Sequence, residues 1–214
     1  MNLLTANNLS HSFDTELFKN VSLELHAQQS MAIIGLSGSG KSTLLHILST
    51  LLSPKEGNVV LFGKDVALMK DTELEIIKRD KLGLVFQQHY LFRGFSVEEN
   101  LEISAMLSKQ KIDQTLLKHL SVEHTLDQKV TELSGGQQQR ISIARVLTKK
   151  PKILFVDEPT GNLDNITSDE VKKIFFDYIK EENAGMVLVT HNEEFAMDCD
   201  IVYKLDNKEL IRLK

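Results

Sequence analysis

A glycine-rich segment at residues 35–42 constrains the fold of this chain more than any other feature. It reads Gly-Leu-Ser-Gly-Ser-Gly-Lys-Ser and fits the pattern G-x-x-x-x-G-K-[ST] in full. An apolar run at residues 31–34 precedes it, and a helical pattern at residues 44–48 follows it. A buried strand that turns through glycines into a helix directs backbone N–H groups and the positive end of the helix at one place. The segment therefore predicts a phosphate-binding loop in an α/β fold, in preference to a flexible glycine turn.

Each residue type in this loop suits a nucleoside triphosphate with its metal. The glycines allow backbone N–H groups to turn inward around phosphate oxygens. Lys41 supplies a mobile positive charge for the outer phosphates, and the hydroxyl of Ser42 is a ligand for Mg²⁺. We therefore expect ATP and Mg²⁺ as ligands, with the nucleotide held by Gly35, Ser37, Gly38, Ser39, Gly40, Lys41, Ser42 and Thr43.

Composition excludes several other classes of protein. The chain has 214 residues and a formal net charge of −5, which fits one domain and gives no basic surface for nucleic acid. Its single cysteine, Cys199, cannot form an internal disulfide, which favours a reducing cytoplasm. No apolar run approaches the roughly 20 residues of a membrane-spanning helix, and the first residues do not resemble a signal peptide. Work at a membrane would therefore require a partner protein.

Strand and helix patterns alternate along most of the chain. We predict a helical segment at residues 171–179 and a hairpin at the end of the chain that turns at Asp206 and Asn207. The polar stretch at residues 97–126 has helical spacing and predicts a small helical subdomain. Short strands are predicted at residues 21–25, 31–34, 59–62, 84–86, 153–156 and 186–189. This alternation predicts a mainly parallel sheet with helices on both faces.

Two carboxylates, Asp157 and Glu158, directly follow the predicted strand at residues 153–156. Asp157 would hold Mg²⁺, whereas the side chain of Glu158 points elsewhere and is placed to polarise an attacking water. A strand that ends in two acidic residues is a weak signal alone, because strands commonly end at solvent. Combined with the phosphate loop, it predicts a hydrolytic site.

The octet at residues 133–140 gives the chain its family resemblance. It reads Leu-Ser-Gly-Gly-Gln-Gln-Gln-Arg, and it resembles the signature of the ATP-binding cassette family. The resemblance covers essentially the whole chain. It implies a P-loop NTPase-type α/β fold with a mainly parallel sheet, an N-terminal antiparallel β part and an inserted small α-helical subdomain. Residues 1–214 would form one domain, with the core at 1–92 and 140–214 and the subdomain at about 93–139.

In that family two subunits face head to tail, and the signature of one closes over the ATP held by the other. The resemblance therefore implies a homodimer in which the second nucleotide contacts come from Ser134, Gly135, Gly136 and Gln137. A serine-capped helix start would explain Ser134 alone, but not the whole octet.

Three further residues, Gln87, Asp164 and His191, match family motifs in order, and Phe13 near the N-terminus is a looser match. Gln87 corresponds to the glutamine that contacts Mg²⁺ and water, although the adjacent Gln88 is an alternative. Asp164, in the motif Gly161-Asn162-Leu163-Asp164, corresponds to an aspartate that reaches across the dimer, although a helix cap is the simpler interpretation. His191 corresponds to the switch histidine at the γ-phosphate. Phe13 occupies the place of the aromatic residue that stacks on adenine, with a core phenylalanine as its competitor.

The resemblance implies hydrolysis of ATP to ADP and phosphate, with Glu158, His191, Lys41 and Gln87 as catalytic residues. The metal ligands would be Ser42, Gln87 and Asp157. The acidic motif at residues 157–164 resembles the branch of lipoprotein-release, macrolide-efflux and cell-division ATPases. Such subunits lie on the cytoplasmic face of the inner membrane beneath permease subunits, which the aromatic segment at residues 89–95 would face.

Three functions of the chain can be compared. The first is transport coupling through a membrane permease, of the lipoprotein-release or macrolide-efflux type. The second is division-type signalling through a membrane partner, with no transported substrate. A cassette ATPase of DNA repair or translation is disfavoured, because the chain has neither a coiled-coil insertion nor a second cassette.

Overall fold

The structure is a computed structural model that describes residues 1–161 and 163–214, so that Asn162 of the motif at residues 161–164 lies outside the described residues. The strands are β1 (Asn2–Ser12), β2 (Glu16–His26), β3 (Ser30–Ile34), β4 (Glu56–Leu61), β5 (Lys64–Asp65), β6 (Leu82–Val85), β7 (Ile153–Asp157), β8 (Gly185–Val189), β9 (Ile201–Asp206) and β10 (Glu209–Arg212). The α-helices are α1 (Lys41–Leu48), α2 (Asp71–Asp80), α3 (Val97–Ser108), α4 (Gln114–His119), α5 (Gly135–Thr148), α6 (Asn165–Glu181) and α7 (Glu193–Met197). Short 3₁₀ turns lie at Val66–Leu68, Glu123–Thr125 and Val130–Glu132.

The central sheet has six strands in the order β10-β9-β3-β8-β7-β6. All of its strand pairs are parallel except the last hairpin, β9 with β10. Since parallel strands end at the same edge, the segments that follow β3, β6, β7 and β8 converge there. This edge is where the sequence places its candidate residues.

Side chains of the central strands alternate between two separate cores, as the pleat of a strand requires. In β7, Ile153 and Phe155 pack with the antiparallel strands and α1, whereas Leu154 and Val156 pack with α3, α5 and α6. All four side chains are fully buried. Burial on both faces explains why β7 reads as a continuous apolar run rather than an alternating one.

A second, antiparallel sheet has the order β2-β1-β4-β5 and covers one face of the central sheet. Strand β1 is irregular: its pairing with β2 shifts register four times, and Asn8 adopts a positive φ of 49°. These irregularities interrupt the polar–apolar alternation of residues 2–12. Residues 2–12 therefore show no strand pattern of their own, although the family resemblance implies an N-terminal antiparallel β part.

The predicted elements are present, with several different boundaries. The strands expected at residues 59–62 and 84–86 end at Leu61 and Val85, because Phe62 enters a turn with a φ of 52° and Phe86 starts the loop after β6. The expected helical stretch divides into α3 and α4, since Lys109 ends α3 in a left-handed conformation. The final turn centres on Asn207 and Lys208, with φ of 47° and 70°, one residue beyond the predicted pair.

The subdomain limits at about residues 93 and 139 stay a prediction. Helix α5 runs without interruption across the second limit, from Gly135 to Thr148. Within residues 1–161 and 163–214, no helix combines the length and apolar character that crossing a bilayer requires.

Candidate functional site

The phosphate loop between β3 and α1 has backbone angles that only glycine adopts without strain. Gly38 and Gly40 have φ of 78° and 101°, and Gly35 has φ of 153°. A Cβ atom on Gly35 would lie 2.5 Å from the carbonyl oxygen of Leu205 in β9. The first glycine of the motif is therefore required by the close approach of β9, in addition to the turn itself.

Polar groups inside this loop fit a polyphosphate. Lys41 is 8% exposed, and its ammonium donates to the carbonyl oxygens of Gly35 and Leu36, at 2.9 and 2.8 Å. The hydroxyl oxygen of Ser39 is buried, and no described group hydrogen-bonds to it. Lys41 and Ser39 can thus donate to phosphate oxygens, together with the N-terminus of α1.

Two of the three predicted metal ligands, Ser42 and Asp157, lie side by side. The hydroxyl of Ser42, in α1, donates to Oδ1 of Asp157 at the end of β7, with a distance of 3.3 Å. Burial raises the pKa of the Asp157 carboxyl and the charge of Glu158 adds to the rise, while the Ser42 hydrogen bond opposes it. A hydroxyl and a partly desolvated carboxylate are hard oxygen ligands, which fits Mg²⁺.

Gln87 is exposed in the loop after β6, at the same edge of the sheet. A Cβ atom on Gly161 would lie 3.8 Å from its Nε2, so Gln87 faces the segment that follows Glu158. No hydrogen bond among the described residues joins Gln87 to Ser42 or Asp157. The structure therefore brings Gln87 near the acidic residues without joining it to the metal ligands.

Glu158 and His191 form a direct pair across the ends of β7 and β8. Nδ1 of His191 lies 2.8 Å from Oε1 of Glu158, whose side chain is 15% exposed. The backbone of Glu158 has a φ of 46°, a left-handed conformation that is held by its N–H donating to the carbonyl of Val189. Such backbone strain in a non-glycine residue clusters at functional sites.

Thr190, for which the sequence predicts no role, also contacts Glu158. Its hydroxyl donates to Oε2 of Glu158 at 3.1 Å and accepts from the N–H of Asn192 at 3.0 Å. The side chain is 1% exposed. A hydroxyl residue between a buried strand and His191 was the available signal, but threonine is too common at strand ends to be selected without the contact.

The signature residues begin α5. The hydroxyl of Ser134 accepts from the N–H of Gln137, and the Gln137 amide oxygen accepts from the N–H of Ser134, at 3.2 and 2.9 Å. Ser134 and Gly135 are exposed, and a Cβ atom on Gly135 would meet nothing within 4 Å. In the part of the chain that the structure describes, no hydrogen bond or ion pair joins these residues to the loop at residues 35–42.

Two further predictions can be compared with their simpler alternatives. Asp164 caps α6, because its carboxylate accepts from the N–H and the hydroxyl of Thr167, at 3.1 and 2.7 Å. These hydrogen bonds hold the pKa of Asp164 below its usual value. Phe13 is 63% exposed and contacts His11 edge-on at 5.0 Å between ring centres, so it is not a core residue.

Comparison with known proteins places the chain in a family. The ABC transporter family profile matches residues 18–161. The lipoprotein-releasing system ATP-binding protein LolD of Bdellovibrio bacteriovorus is 38% identical over 198 residues, which is 90% of both chains. The macrolide export ATP-binding/permease protein MacB of the same organism is 38% identical over 203 residues, 93% of this chain and 30% of MacB.

Among solved structures, the chain is similar to the ATP-binding cassette MJ0796 in a dimeric post-hydrolysis state bound to ADP and Pi. The TM-score is 0.88 and the sequence identity 31%, with 97% of this chain and 96% of that chain covered. The chain belongs to the ABC transporter family. It is an ATPase subunit of a transporter that uses ATP and Mg²⁺, and the predicted fold class is confirmed.

Proposed function

We propose that Glu158 is the residue that orients and deprotonates the attacking water, with His191 holding the geometry at the γ-phosphate. The 2.8 Å contact between these two side chains carries the proposal. The position of Glu158 supports the same roles, since Asp157, the residue before it at the end of β7, contacts Ser42. A general base must lie within hydrogen-bond reach of the proton it removes. Glu158 supplies a carboxylate at the edge of the sheet where the attacking water would bind.

The loop residues Gly35, Ser37, Gly38, Ser39, Gly40, Lys41, Ser42 and Thr43 would bind the phosphates. Lys41 would exchange its loop carbonyls for phosphate oxygens, because an ammonium prefers an anionic acceptor. Ser42, Asp157 and Gln87 would hold Mg²⁺. When bound, the metal neutralises phosphate charge and supports in-line displacement.

Phe13 would provide the surface on which adenine stacks. Its exposed ring supports this role, because stacking requires a free face and not a hydroxyl group. The groove beside the loop at residues 36–39 is lined by residues 15–17, at the start of β2, and by residues 205–208 of the final hairpin. Both flanking turns would therefore lie close to the nucleotide.

The second half of each site would come from another copy of the chain, in a head-to-tail homodimer. Ser134, Gly135, Gly136 and Gln137 are presented at the start of α5 with space in front of Gly135. Asp164 would also contact the partner, and its capping bonds leave it exposed at the start of α6. The dimeric state of the MJ0796 cassette supports this arrangement.

The ATPase would drive lipoprotein release through a membrane permease, and so would work on the cytoplasmic face of the inner membrane. The 90% mutual coverage with LolD of Bdellovibrio bacteriovorus favours this process. MacB supports macrolide efflux as the second candidate, although the chain matches only 30% of that protein. Depleting the chain in its own organism distinguishes the two: retained inner-membrane lipoproteins support the first, and macrolide sensitivity alone supports the second.

The roles at the hydrolytic centre are tested by Glu158→Gln. Glutamine keeps the shape of the side chain but cannot accept the proton, so we expect turnover to fall by about 100-fold or more. ATP should still bind, and ATP-bound dimers should accumulate in size-exclusion chromatography. Glu182→Gln is the matched control, because the Glu182 carboxylate pairs with Lys150 and Lys152, which precede the opposite end of β7 from the site. Normal turnover in Glu158→Gln would contradict the assigned role.

A further inference from the structure

Residues 86–95 connect β6 to α3 and carry three exposed aromatic side chains. Tyr90, Phe92 and Phe95 are 63%, 50% and 44% exposed. Phe92 and Phe95 pack against each other with ring centres 5.7 Å apart. Residues 89–95 of this connection are those expected to face the permease, and we call them the permease-facing segment. They begin two residues after Gln87, so their position bears both on the nucleotide site and on the membrane partner.

The backbone of this segment is held by side chains of α5. The guanidinium of Arg145 donates to the carbonyl oxygens of Tyr90 and His89, at 2.9 and 3.4 Å. It also lies 5.9 Å from the ring centre of Phe92. Nearer the start of the same helix, the amide of Gln139 donates to the carbonyl oxygen of Phe86 at 3.5 Å. Helix α5 thus contacts the connection between β6 and α3 at Phe86 and again at the start of the permease-facing segment.

Arg145 has no other role in the described residues that would explain a charged side chain here. No carboxylate of residues 1–161 or 163–214 lies within 4 Å of its guanidinium, and burial lowers its pKa. Its donors are directed at two successive carbonyls, a task for which the planar fork of arginine is suited. Tyr90 has a φ of 46°, a conformation that is rare for a non-glycine residue and that this contact helps to hold.

Helix α3 also bonds to α5 and to the permease-facing segment. The hydroxyl of Ser104 donates to the carbonyl oxygen of Arg145 at 2.7 Å. The fully buried Asn100 accepts from the N–H of Phe92 at 2.8 Å and donates to its carbonyl oxygen at 3.1 Å. Because these bonds connect α3, α5 and the permease-facing segment, a displacement of α5 displaces the segment with it.

We propose that Arg145 is a positioning residue that couples the signature to the permease-facing segment. The first turn of α5 carries the signature, and Arg145 lies ten residues further along the helix, about 15 Å away. Closure of a partner's nucleotide on Ser134 would therefore shift the carbonyls of His89 and Tyr90 through one rigid element. This coupling rests on the proposed head-to-tail dimer.

Hydrogen–deuterium exchange in the full-length chain tests the coupling without the permease. The background is Glu158→Gln, in which ATP and Mg²⁺ should hold the dimer. We compare that parent with Arg145→Met, Arg145→Lys and Arg212→Met. Arg212 is the matched control, since its guanidinium also donates only to a backbone carbonyl, that of Lys214, on the distant edge strand β10. Size-exclusion chromatography reports dimer formation in each sample.

In the parent and in Arg212→Met, adding ATP should slow exchange of the amides at residues 88–93 several-fold. In Arg145→Met the dimer should still form, but exchange in this segment should be faster and no longer depend on ATP. Arg145→Lys should keep part of the response, because lysine keeps the charge and a donor but lacks the planar fork that fits both carbonyls. A merely structural role would change the exchange rate but leave its dependence on ATP intact.

The coupling would be overturned if ATP slowed exchange in Arg145→Met as much as in the parent. It would also be overturned if ATP did not slow exchange in the parent dimer. If Arg145→Met does not fold, Arg145→Lys decides: a response equal to the parent overturns the proposal, and a reduced one supports it. Failure of the parent to dimerise with ATP would instead overturn the proposed function, and the coupling with it.

Discussion

Thr190 fixes one oxygen of Glu158 while His191 contacts the other, so that the carboxylate has a single orientation. A carboxylate held in this way presents the same lone pair to water in every catalytic cycle. The strained backbone of Glu158 has the same effect, since it fixes where the side chain leaves the strand. On the proposed assignment, orientation of the base therefore depends partly on Thr190, which has no assigned contact with the nucleotide.

Replacing Thr190 with valine removes the hydroxyl and retains the shape of the side chain. We expect kcat to fall by roughly tenfold or more, because a hydrogen bond to a charged group contributes about 1.5–3 kcal/mol. KM for ATP should change little, since Thr190 contacts the base and not the phosphate loop. Steady-state ATPase assays measure both constants. Thr125→Val, at another buried threonine whose hydroxyl donates to a backbone carbonyl, is the control. An equal loss in both variants would contradict the prediction.

Burial of His11 should make the free energy of unfolding depend on pH. The ring is 5% exposed, neither nitrogen has a hydrogen-bond partner among the described residues, and burial followed by the charge of Lys55 lowers its pKa. Below pH 6.5, the usual pKa of histidine, the unfolded chain binds a proton that the folded chain excludes. The free energy of unfolding should therefore fall as pH drops below about 6.5, until the lowered pKa is reached.

Thermal unfolding between pH 7.5 and 5 measures this effect. His11→Phe keeps a ring of similar size without a titrating group, and should show a shallower loss of stability on acidification. His119→Gln, at an exposed histidine, is the control and should follow the unsubstituted chain. Identical pH profiles for His11→Phe and the unsubstituted chain would refute this account.

At the scale of elements, α3 and α5 begin with the same capping arrangement but would differ in function. Ser96 and Ser134 each cap a helix and pair reciprocally with the third residue, Glu99 or Gln137. The cap itself therefore stabilises a helix start, and on the proposed arrangement only the surroundings of Ser134 would make it part of a nucleotide site. This pair allows stability and function to be separated.

Ser134→Asp preserves an N-cap of equal quality but places a negative charge where a partner's γ-phosphate would bind. We expect the free energy of unfolding to change by less than about 0.5 kcal/mol, because serine and aspartate are similar N-caps. ATP-driven dimerisation in the Glu158→Gln background should be lost. Ser96→Asp should leave both properties unchanged. Dimers of normal stability in Ser134→Asp would contradict the role of the signature.

The sequence could predict those elements whose residues repeat regularly, and those site residues that belong to contiguous motifs. Strands β3, β7 and β8 are apolar runs that end at the loop, at Asp157 and just before His191. Helix α2 was not predicted, because only Ile77 in it is buried and its remaining residues give no apolar face. Thr190 and Arg145 were missed for another reason: their roles depend on partners 32 and 55 residues away.

At the scale of the whole molecule, nucleotide should stabilise the folded chain. The folded state alone assembles the loop from β3, α1 and the approach of Leu205, so only it binds ADP. At a concentration of 100 Kd, a ligand adds about 2.7 kcal/mol, which corresponds to roughly 5–10 °C in Tm for a domain of this size. Differential scanning fluorimetry with ADP and Mg²⁺ measures the shift.

Removal of Mg²⁺ with EDTA should reduce that shift and stop ATP hydrolysis, because Ser42 and Asp157 then lose the cation that joins them to the phosphates. Lys41→Met should lose most of the shift even with Mg²⁺ present, since Lys41 is the only cation of the loop at residues 35–42. A shift in Lys41→Met equal to that of the unsubstituted chain would contradict the assigned phosphate site.

The signature residues do not bond to the phosphate loop of their own chain, and this has a kinetic consequence. On the proposed arrangement, hydrolysis is a second-order process in the protein, so dilution should lower the specific activity. A permease that carries two such subunits replaces the bulk concentration with a local one, in the millimolar range for short tethers. Copy number in the cell and recruitment by the membrane partner would then set the rate of ATP consumption, and unrecruited subunits would consume little.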